Sequence, residues 1–241
     1  MKLIQTLNYA ELSQQAAAQV LSSLKGNPAL NLGLATGSTP TGLYQELIKD
    51  HQLNGTSYQQ VNTFNLDEYI GVPKKDYHSY HYFMCEKLFK HIDIPLDQTH
   101  IPDGTAMDFA KECTRYEQFI LEHGGIDLQV LGIGQNGHIG FNEPGTSFDS
   151  RTHIIDLAES TRKANSRFFA SLDDVPRQAI TMGIATILDS REIFLLVSGT
   201  AKAEALARLM NGEVSEEFPA SVLKKHENVT IFADKEAAAM L

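Results

Sequence analysis

Short apolar runs alternate with longer amphipathic stretches along most of this chain. Apolar residues at helical spacing predict helices over residues 9–24, 40–49, 77–90, 108–122, 176–189 and 201–210. Continuous apolar runs predict buried strands over residues 30–35, 61–66, 128–133, 192–197 and 229–232. Because strands that are separated by helices pair in parallel, the pattern predicts an α/β fold with a mostly parallel sheet and helices on both faces.

The length of the chain suits one large domain. Its 241 residues contain no internal repeat, and no linker rich in Pro, Gly or Ser divides them. The sequence therefore predicts a single domain over residues 1–241. A polar stretch around residues 160–174 interrupts the alternating pattern, and we expect it to be mobile.

Composition and charge exclude several classes of protein. The net charge is −10 without a clustered basic run, which disfavours nucleic-acid binding because such binding neutralises phosphates. The pattern also predicts neither a membrane span nor a signal peptide. Cys85 and Cys113 lie far apart, so we expect buried free thiols in a cytoplasmic protein rather than a disulfide or a zinc site.

Polar residues follow the first predicted core strand, at the sheet edge where ligands bind in parallel folds. Thr36, Gly37 and Ser38 precede a predicted helix, and the free N–H groups and positive dipole end of that helix suit a phosphate. The alternative is an ordinary helix start, with Ser38 or Thr39 as the capping residue. A cap needs only one hydroxyl, so we favour a phosphate site.

Charged residues occupy other strand ends. Lys202 lies in the first turn of a predicted helix, where the dipole disfavours a cation unless an anion binds there too. Arg162 or Arg167 offers a planar fork for a phosphate, although a basic run of this kind usually faces solvent. Asp67 ends the second predicted strand, and taken alone it would be part of a solvated acidic pair with Glu68.

The glycine-rich segment from residue 132 to residue 144 follows the third predicted strand. It contains the Gly-x-Gly-x-x-Gly spacing of dinucleotide sites, with Asp156 near the place of a ribose-binding acid. That motif requires a helix after its third glycine, and the following residues, which include Gly140 and Pro144, are poor helix formers. We therefore reject the dinucleotide interpretation.

Two interpretations of this segment remain open from its local pattern. Asn136 and Gly137 form a strong hairpin-turn signal, which would leave the neighbouring polar residues on the surface. Alternatively, His138 lies five residues before Glu143, and such a pair suits proton transfer on a small molecule.

Residues 77–82 alternate tyrosines with His78 and His81. Two histidines on one helix face could bind a metal, but no carboxylate or cysteine joins them at helical spacing. We interpret the cluster as aromatic packing and predict no metal site.

Together these segments resemble the glucosamine-6-phosphate deaminase family. The resemblance rests on residues 34–40 (LATGSTP), 64–69 (FNLDEY), 132–144 (GIGQNGHIGFNEP), 161–169 (TRKANSRFF) and 198–203 (SGTAKA), which follow the family's order. It implies a modified Rossmann-like sheet. It also implies conversion of glucosamine 6-phosphate to fructose 6-phosphate and ammonia in amino-sugar catabolism, without a metal or an organic cofactor.

The resemblance assigns roles to individual residues. It implies that His138 opens the sugar ring, with Glu143 and Asn136 orienting it, and an imidazole can both take and give a proton near neutral pH. It implies that Asp67 then moves a proton between two adjacent carbons. It further implies a phosphate site made of Thr36, Gly37, Ser38, Arg167 and Lys202, and a mobile lid around residues 160–174.

The chain departs from some family members in two ways. Those members carry Asp where this chain has Asn136, which can orient a ring but supplies no charge, so we expect a shifted pH optimum. Longer members also have a C-terminal segment linked to hexamer formation and to activation by N-acetylglucosamine 6-phosphate. This chain ends at Leu241, from which we expect an unregulated monomer or small homo-oligomer.

Two other functions compete with the deaminase interpretation. A 6-phosphogluconolactonase shares the fold and a similar Gly-His loop, but residues 141–144 (FNEP) resemble the deaminase version. A sugar-phosphate sensor would need a DNA-binding segment with basic residues, which we do not expect in this acidic chain.

Overall fold

The computed structural model describes residues 1–241 and contains two sheets. The elements are β1 (Lys2–Thr6), α1 (Tyr9–Gly26), β2 (Asn31–Leu34), α2 (Ser38–Asn54), β3 (Asn62–Asn65), β4 (Asp67–Tyr69), α3 (Tyr80–Lys87), β5 (Thr99–His100), α4 (Phe109–Glu122), β6 (Leu128–Gly132), β7 (His153–Asp156), α5 (Glu159–Asn165), β8 (Gln178–Thr181), α6 (Ile184–Leu188), β9 (Glu192–Val197), α7 (Ala203–Asn211) and β10 (Val229–Asp234). Seven parallel strands form the large sheet in the order β1-β10-β9-β6-β2-β3-β5. The small sheet is antiparallel, in the order β4-β8-β7.

The large sheet is buried on both faces. Along β9, Phe194 and Leu196 pack into a core formed mainly with α1 and α2. The alternate residues, such as Leu195, pack into a second core with α4 and α7. Because side chains alternate across a strand, a continuous apolar run supplies both cores. The predicted fold class is therefore confirmed.

Several predicted helix boundaries shift for local reasons. The helix predicted over residues 108–122 is confirmed as α4, and Asp108 caps it by accepting a hydrogen bond from the Lys111 N–H. The helix expected from residue 40 begins earlier, at Ser38. The helix expected over residues 77–90 is shorter, because Ser79 caps α3 and a separate 3₁₀ turn follows it.

The helix predicted over residues 176–189 is wrong. This region contains the strand β8 and the five-residue helix α6. β8 is the central strand of the small sheet, and its apolar residues are buried between two partners. A short apolar run does not by itself distinguish a buried helix from a central strand, and here the pairing with β4 and β7 decides.

The strands β1, β4, β5 and β7 were not predicted from the sequence. Each is short, or lies at an edge of its sheet, so its apolar signal is weak. None of the helices combines the length and the apolar character needed to cross a bilayer. Cys113 is buried and Cys85 is partly buried, and both are free.

Candidate active site

One cavity of about 370 Å³ opens at the carboxyl edge of the large sheet. The loops after β2, β3, β6 and β9 line it, together with Asn165 and residues 167–169. All four strand ends that carry candidate chemistry therefore meet at one site, as the parallel fold requires. Seven of the predicted site residues line this cavity: Thr36, Gly37, Ser38, Asp67, His138, Arg167 and Lys202.

The start of α2 forms one wall of the cavity. Gly37 precedes the helix with φ of 105°, a conformation that favours glycine. No side chain caps this helix, so the capping role considered for Ser38 and Thr39 is wrong, and both residues line the cavity instead. An uncapped helix start of this kind suits an anion.

Arg167 and Lys202 line the same cavity without an acidic partner. Burial, together with the nearby Arg167 charge, lowers the pKa of Lys202. Two cations held close together are stabilised when an anion binds between them. The other candidate, Arg162, does not line the cavity. It donates hydrogen bonds to the carbonyl oxygens of Leu172 and Val175 and so stabilises the chain after α5.

Asp234 was not identified from the sequence, although it lies at the carboxyl end of β10. Its carboxylate accepts hydrogen bonds from the Ser198 hydroxyl at 2.5 Å and from the Gly199 N–H at 3.1 Å. Gly199 has φ of 87°, and the turn that it begins ends at Lys202. Asp234 therefore holds the loop that presents Lys202 to the cavity.

Asp67 begins β4, and only 6% of its surface is exposed. Its carboxylate faces the cavity and has no cationic partner. Burial, followed by the neighbouring charge of Glu68, raises the pKa of Asp67 to about 8. A carboxyl group with such a pKa can take up and return a proton near neutral pH.

Glu68 is buried, so the solvated acidic pair considered from the sequence is wrong. Its carboxylate accepts hydrogen bonds from the N–H groups of Tyr80 and His81, at 3.0 Å each, and so fixes the start of α3. Burial raises the pKa of Glu68 despite these bonds.

The glycine-rich segment after β6 forms a tight turn that presents His138. The Gly137 N–H donates to the Gly134 carbonyl, and Gly137 has φ of 88°. No strand pair flanks this turn, so the hairpin interpretation is wrong although the turn signal is correct. No helix follows either, which confirms that the dinucleotide motif does not apply. A Cβ atom at Gly134 would lie 2.3 Å from the His138 ring, so this glycine makes room for the imidazole.

Glu143 lies beside the imidazole and is 6% exposed. Its Oε2 atom lies 3.7 Å from His138 Nδ1 and accepts a 2.7 Å hydrogen bond from the Asn136 amide. Its Oε1 atom accepts from the Thr161 hydroxyl at 2.5 Å. Burial would raise the pKa of Glu143, but the adjacent His138 and the hydrogen bonds from Thr161 and Asn136 outweigh it and lower this pKa to about 2. Glu143 therefore remains ionised beside the imidazole.

Asn136 acts on His138 only indirectly. Its amide oxygen accepts a 3.3 Å hydrogen bond from the His138 backbone N–H, and its amide nitrogen donates to Glu143. No bond joins Asn136 to the ring, so the expected direct orientation of the imidazole by Asn136 is not observed. The Asn136 amide instead positions Glu143, whose Oε2 atom lies 3.7 Å from Nδ1 of the ring.

Aromatic side chains form a further wall that the sequence did not assign to the site. The Tyr69 ring lies 4.8 Å from Tyr80, 5.6 Å from Phe141 and 5.9 Å from Phe169. The His78 ring stacks on Phe169 at 4.3 Å, in agreement with the packing interpretation of residues 77–82. His78 precedes α3, however, so the two histidines of that cluster do not share a helix face.

Comparison with known proteins places the chain in a family. Residues 6–232 match the family described as glucosamine-6-phosphate isomerases/6-phosphogluconolactonase. A protein from Oceanobacillus iheyensis named glucosamine-6-phosphate deaminase is 60% identical over 98% of this chain and 95% of its own length. A solved monomeric glucosamine-6-phosphate deaminase superposes with a TM-score of 0.99 at 51% identity, covering 100% of both chains.

A solved 6-phosphogluconolactonase from Trypanosoma brucei is more distant. It superposes with a TM-score of 0.79 at 22% identity, over 100% of this chain and 98% of its own, and shares the fold. The chain belongs to the glucosamine-6-phosphate isomerase/6-phosphogluconolactonase family.

Proposed function

We propose that this protein converts glucosamine 6-phosphate and water to fructose 6-phosphate and ammonia. The observation that carries the proposal is the pairing of two proton-transfer groups in one cavity. Asp67 has a pKa raised to about 8, and His138 is backed by an ionised Glu143. Hydrolysis of a lactone requires no proton transfer between carbons, so a base such as Asp67 favours the deaminase reaction.

Arg167, Lys202 and the start of α2 would hold the phosphate of the substrate. They combine two unpaired cations with an uncapped helix start in the wall of the cavity. Anchoring the phosphate fixes the far end of the sugar and lowers the entropic cost of placing its reacting carbons.

Ring opening is the first chemical step. His138 would take the proton of the anomeric hydroxyl and give one to the ring oxygen, which breaks the bond between C1 and that oxygen and yields an aldehyde. The ionised Glu143 stabilises the imidazolium that forms in between. Proton balance is maintained, because His138 ends the step in its starting form.

Proton transfer and loss of ammonia complete the reaction. The aldehyde acidifies C2, so Asp67 can remove the C2 proton to form an enolamine and return a proton to C1. The C1 oxygen takes up one proton during this transfer, and the nitrogen gives one up. The product of this transfer is an imine at C2. Water adds to that imine, and ammonia leaves as the ketone of fructose 6-phosphate forms.

We also propose that residues 160–174 act as a lid on a single-domain, monomeric enzyme. Part of this stretch, Asn165 and Arg167, lines the cavity, and closing it over the substrate would exclude water during proton transfer. A single-chain mass by light scattering supports the monomer, and a dimer mass would contradict it.

The proposed function has a direct test. The protein is incubated with glucosamine 6-phosphate, and ammonia and fructose 6-phosphate are measured in equal amounts over time. Absence of both products, together with hydrolysis of 6-phosphogluconolactone, would instead identify a lactonase.

Asp234→Asn should weaken the phosphate site without changing the chemistry. The substitution removes the charge that accepts from Ser198 and Gly199, so the loop carrying Lys202 loses its anchor. We expect KM to rise about tenfold at nearly constant kcat, as for the loss of one charged hydrogen bond. Asp93→Asn is the matched control, because Asp93 accepts from the Ser57 hydroxyl and the Tyr58 N–H away from the site. An equal rise in KM in both variants would contradict the role.

Asn136→Asp should move the pH profile of activity upwards. The new carboxyl group would replace an amide that donates to Glu143 at 2.7 Å, so the negative charge beside the His138 imidazole would increase as this pair of carboxyl groups loses its shared proton. Nearby negative charge favours the protonated form of a histidine. The measurement is kcat against pH for both proteins, and identical profiles would show that this position does not set the optimum.

A further inference from the structure

The chain between residues 158 and 169 touches the active site at several separate points. The Thr161 hydroxyl donates to Glu143 Oε1, and the Asn165 amide donates to the Tyr69 hydroxyl at 3.0 Å. Arg167, two residues further on, lines the cavity. One short helix and the turn after it therefore contact both the histidine end of the site and its cationic residues.

Two of the three hydrogen bonds to the Glu143 carboxylate come from this segment. Oε1 accepts from the Thr161 hydroxyl at 2.5 Å and from the Ala158 N–H at 3.3 Å, while Oε2 faces Asn136 and His138. Thr161 is 4% exposed, so water does not readily replace its hydroxyl. The side chain of Glu143 is thus held from two sides, and Thr161 supplies the shorter bond on the side away from the imidazole.

We propose that Thr161 is a positioning residue for ring opening, which transmits the placement of residues 158–169 to Glu143 and through it to His138. The inference rests on the proposed function, because ring opening is the step that needs His138. Arg167 lies on the same segment, so a phosphate that binds Arg167 would also stabilise the placement in which Thr161 contacts Glu143.

The consequence is specific to one chemical step. A misplaced Glu143 stabilises the imidazolium poorly, so opening of the cyclic sugar slows. Binding of a sugar phosphate that has no ring, such as 2-amino-2-deoxyglucitol 6-phosphate, does not need His138 to transfer a proton. Loss of the Thr161 hydroxyl should therefore lower kcat for the cyclic substrate and leave the affinity for the open-chain compound nearly unchanged.

The test compares Thr161→Val with Thr161→Ser and with Thr186→Val. Thr186 is also 4% exposed, and its hydroxyl donates at 2.7 Å to Glu117 Oε1, which lies outside the cavity. Both valine variants thus lose one buried bond from threonine to glutamate. We expect kcat to fall about 10- to 100-fold in Thr161→Val, to recover in Thr161→Ser, and to change little in Thr186→Val.

Three results would overturn the inference. These are equal kcat in Thr161→Val and Thr186→Val, failure of Thr161→Ser to restore kcat, and a loss of open-chain affinity as large as the loss of kcat. The unsubstituted protein is assayed beside them. If the unsubstituted protein fails to release ammonia from glucosamine 6-phosphate, the proposed function itself is wrong. If it releases ammonia and Thr161→Val has the same kcat, only the role of Thr161 is contradicted.

Discussion

Asp67→Asn should lower kcat for glucosamine 6-phosphate by roughly 10²- to 10⁴-fold, the range for loss of a general base. The amide has nearly the shape of the carboxylate but cannot accept the C2 proton. In heavy water, the product of the unsubstituted enzyme should carry deuterium at C1, and we expect no such label from the variant. Affinity for inorganic phosphate should remain, because Asp67 is not among the residues proposed to hold the phosphate.

Deuterium at C1 of the product formed by Asp67→Asn would mean that another residue is the base. The pH dependence of the unsubstituted enzyme offers a second check. Since Asp67 must lose its proton to act, and its pKa is about 8, kcat/KM should rise between pH 6 and pH 8.

The same substitution should stabilise the fold at alkaline pH. In the unfolded chain Asp67 ionises near its ordinary pKa of 3.8, whereas in the folded protein the pKa is about 8. Well below pH 3.8 the group is protonated in both states and does not change the free energy of unfolding. As the pH rises from the ordinary pKa of 3.8 towards the folded-state pKa of about 8, only the unfolded state ionises freely. The free energy of unfolding therefore falls, by up to a few kcal/mol. Asp67→Asn should therefore raise the melting temperature more at pH 8 than at pH 5.

Gly134→Ala should reduce kcat about 10²-fold, because a displacement of roughly 1 Å in a catalytic group has that effect. The added Cβ would lie 2.3 Å from the His138 ring and must push it away. Gly134 does not have a positive φ, so the substitution changes the space around the imidazole rather than the backbone preference.

The control for this prediction is Gly26→Ala, at the end of α1, where an added Cβ meets nothing within 4 Å. It should fold and react normally. Full activity in Gly134→Ala would show that His138 can move without loss, and therefore that the present ring position is not the reactive one. A crystal structure of the variant would show where the ring lies.

The structure brings seven of the residues proposed for the site into one cavity, whereas several of the elements around it differ from the prediction. Thr36, His138 and Lys202 each follow a strand with a strong apolar signal, and the carboxyl-end rule brings such positions together without knowledge of side-chain contacts. Asp234 ends such a strand as well, so the same rule was sufficient to find it.

The remaining features depend on contacts between distant parts of the chain. Taken alone, Asp67 and Glu68 looked like a solvated pair, and their burial comes from β8, more than a hundred residues later. β8 itself was predicted as part of a helix, because its short apolar run fits either a helix or a strand. Only the pairing with β4 and β7, which the sequence does not show, makes it a strand. Thr161 and Glu143 are 18 residues apart in the sequence, and no helical or strand periodicity relates the two positions, so their contact could not be predicted.

The small sheet has a consequence for how the site keeps its dimensions. Asp67 lies opposite Thr181 in the pairing of β4 with β8, and the Thr181 hydroxyl accepts a 3.0 Å hydrogen bond from the Phe141 N–H, in the loop that carries His138. Asp67 and the loop that carries His138 are thus both attached to the same strand. Because both attachments are made to one residue of β8, a small movement of the outer helices would leave the spacing between Asp67 and the His138 loop unchanged.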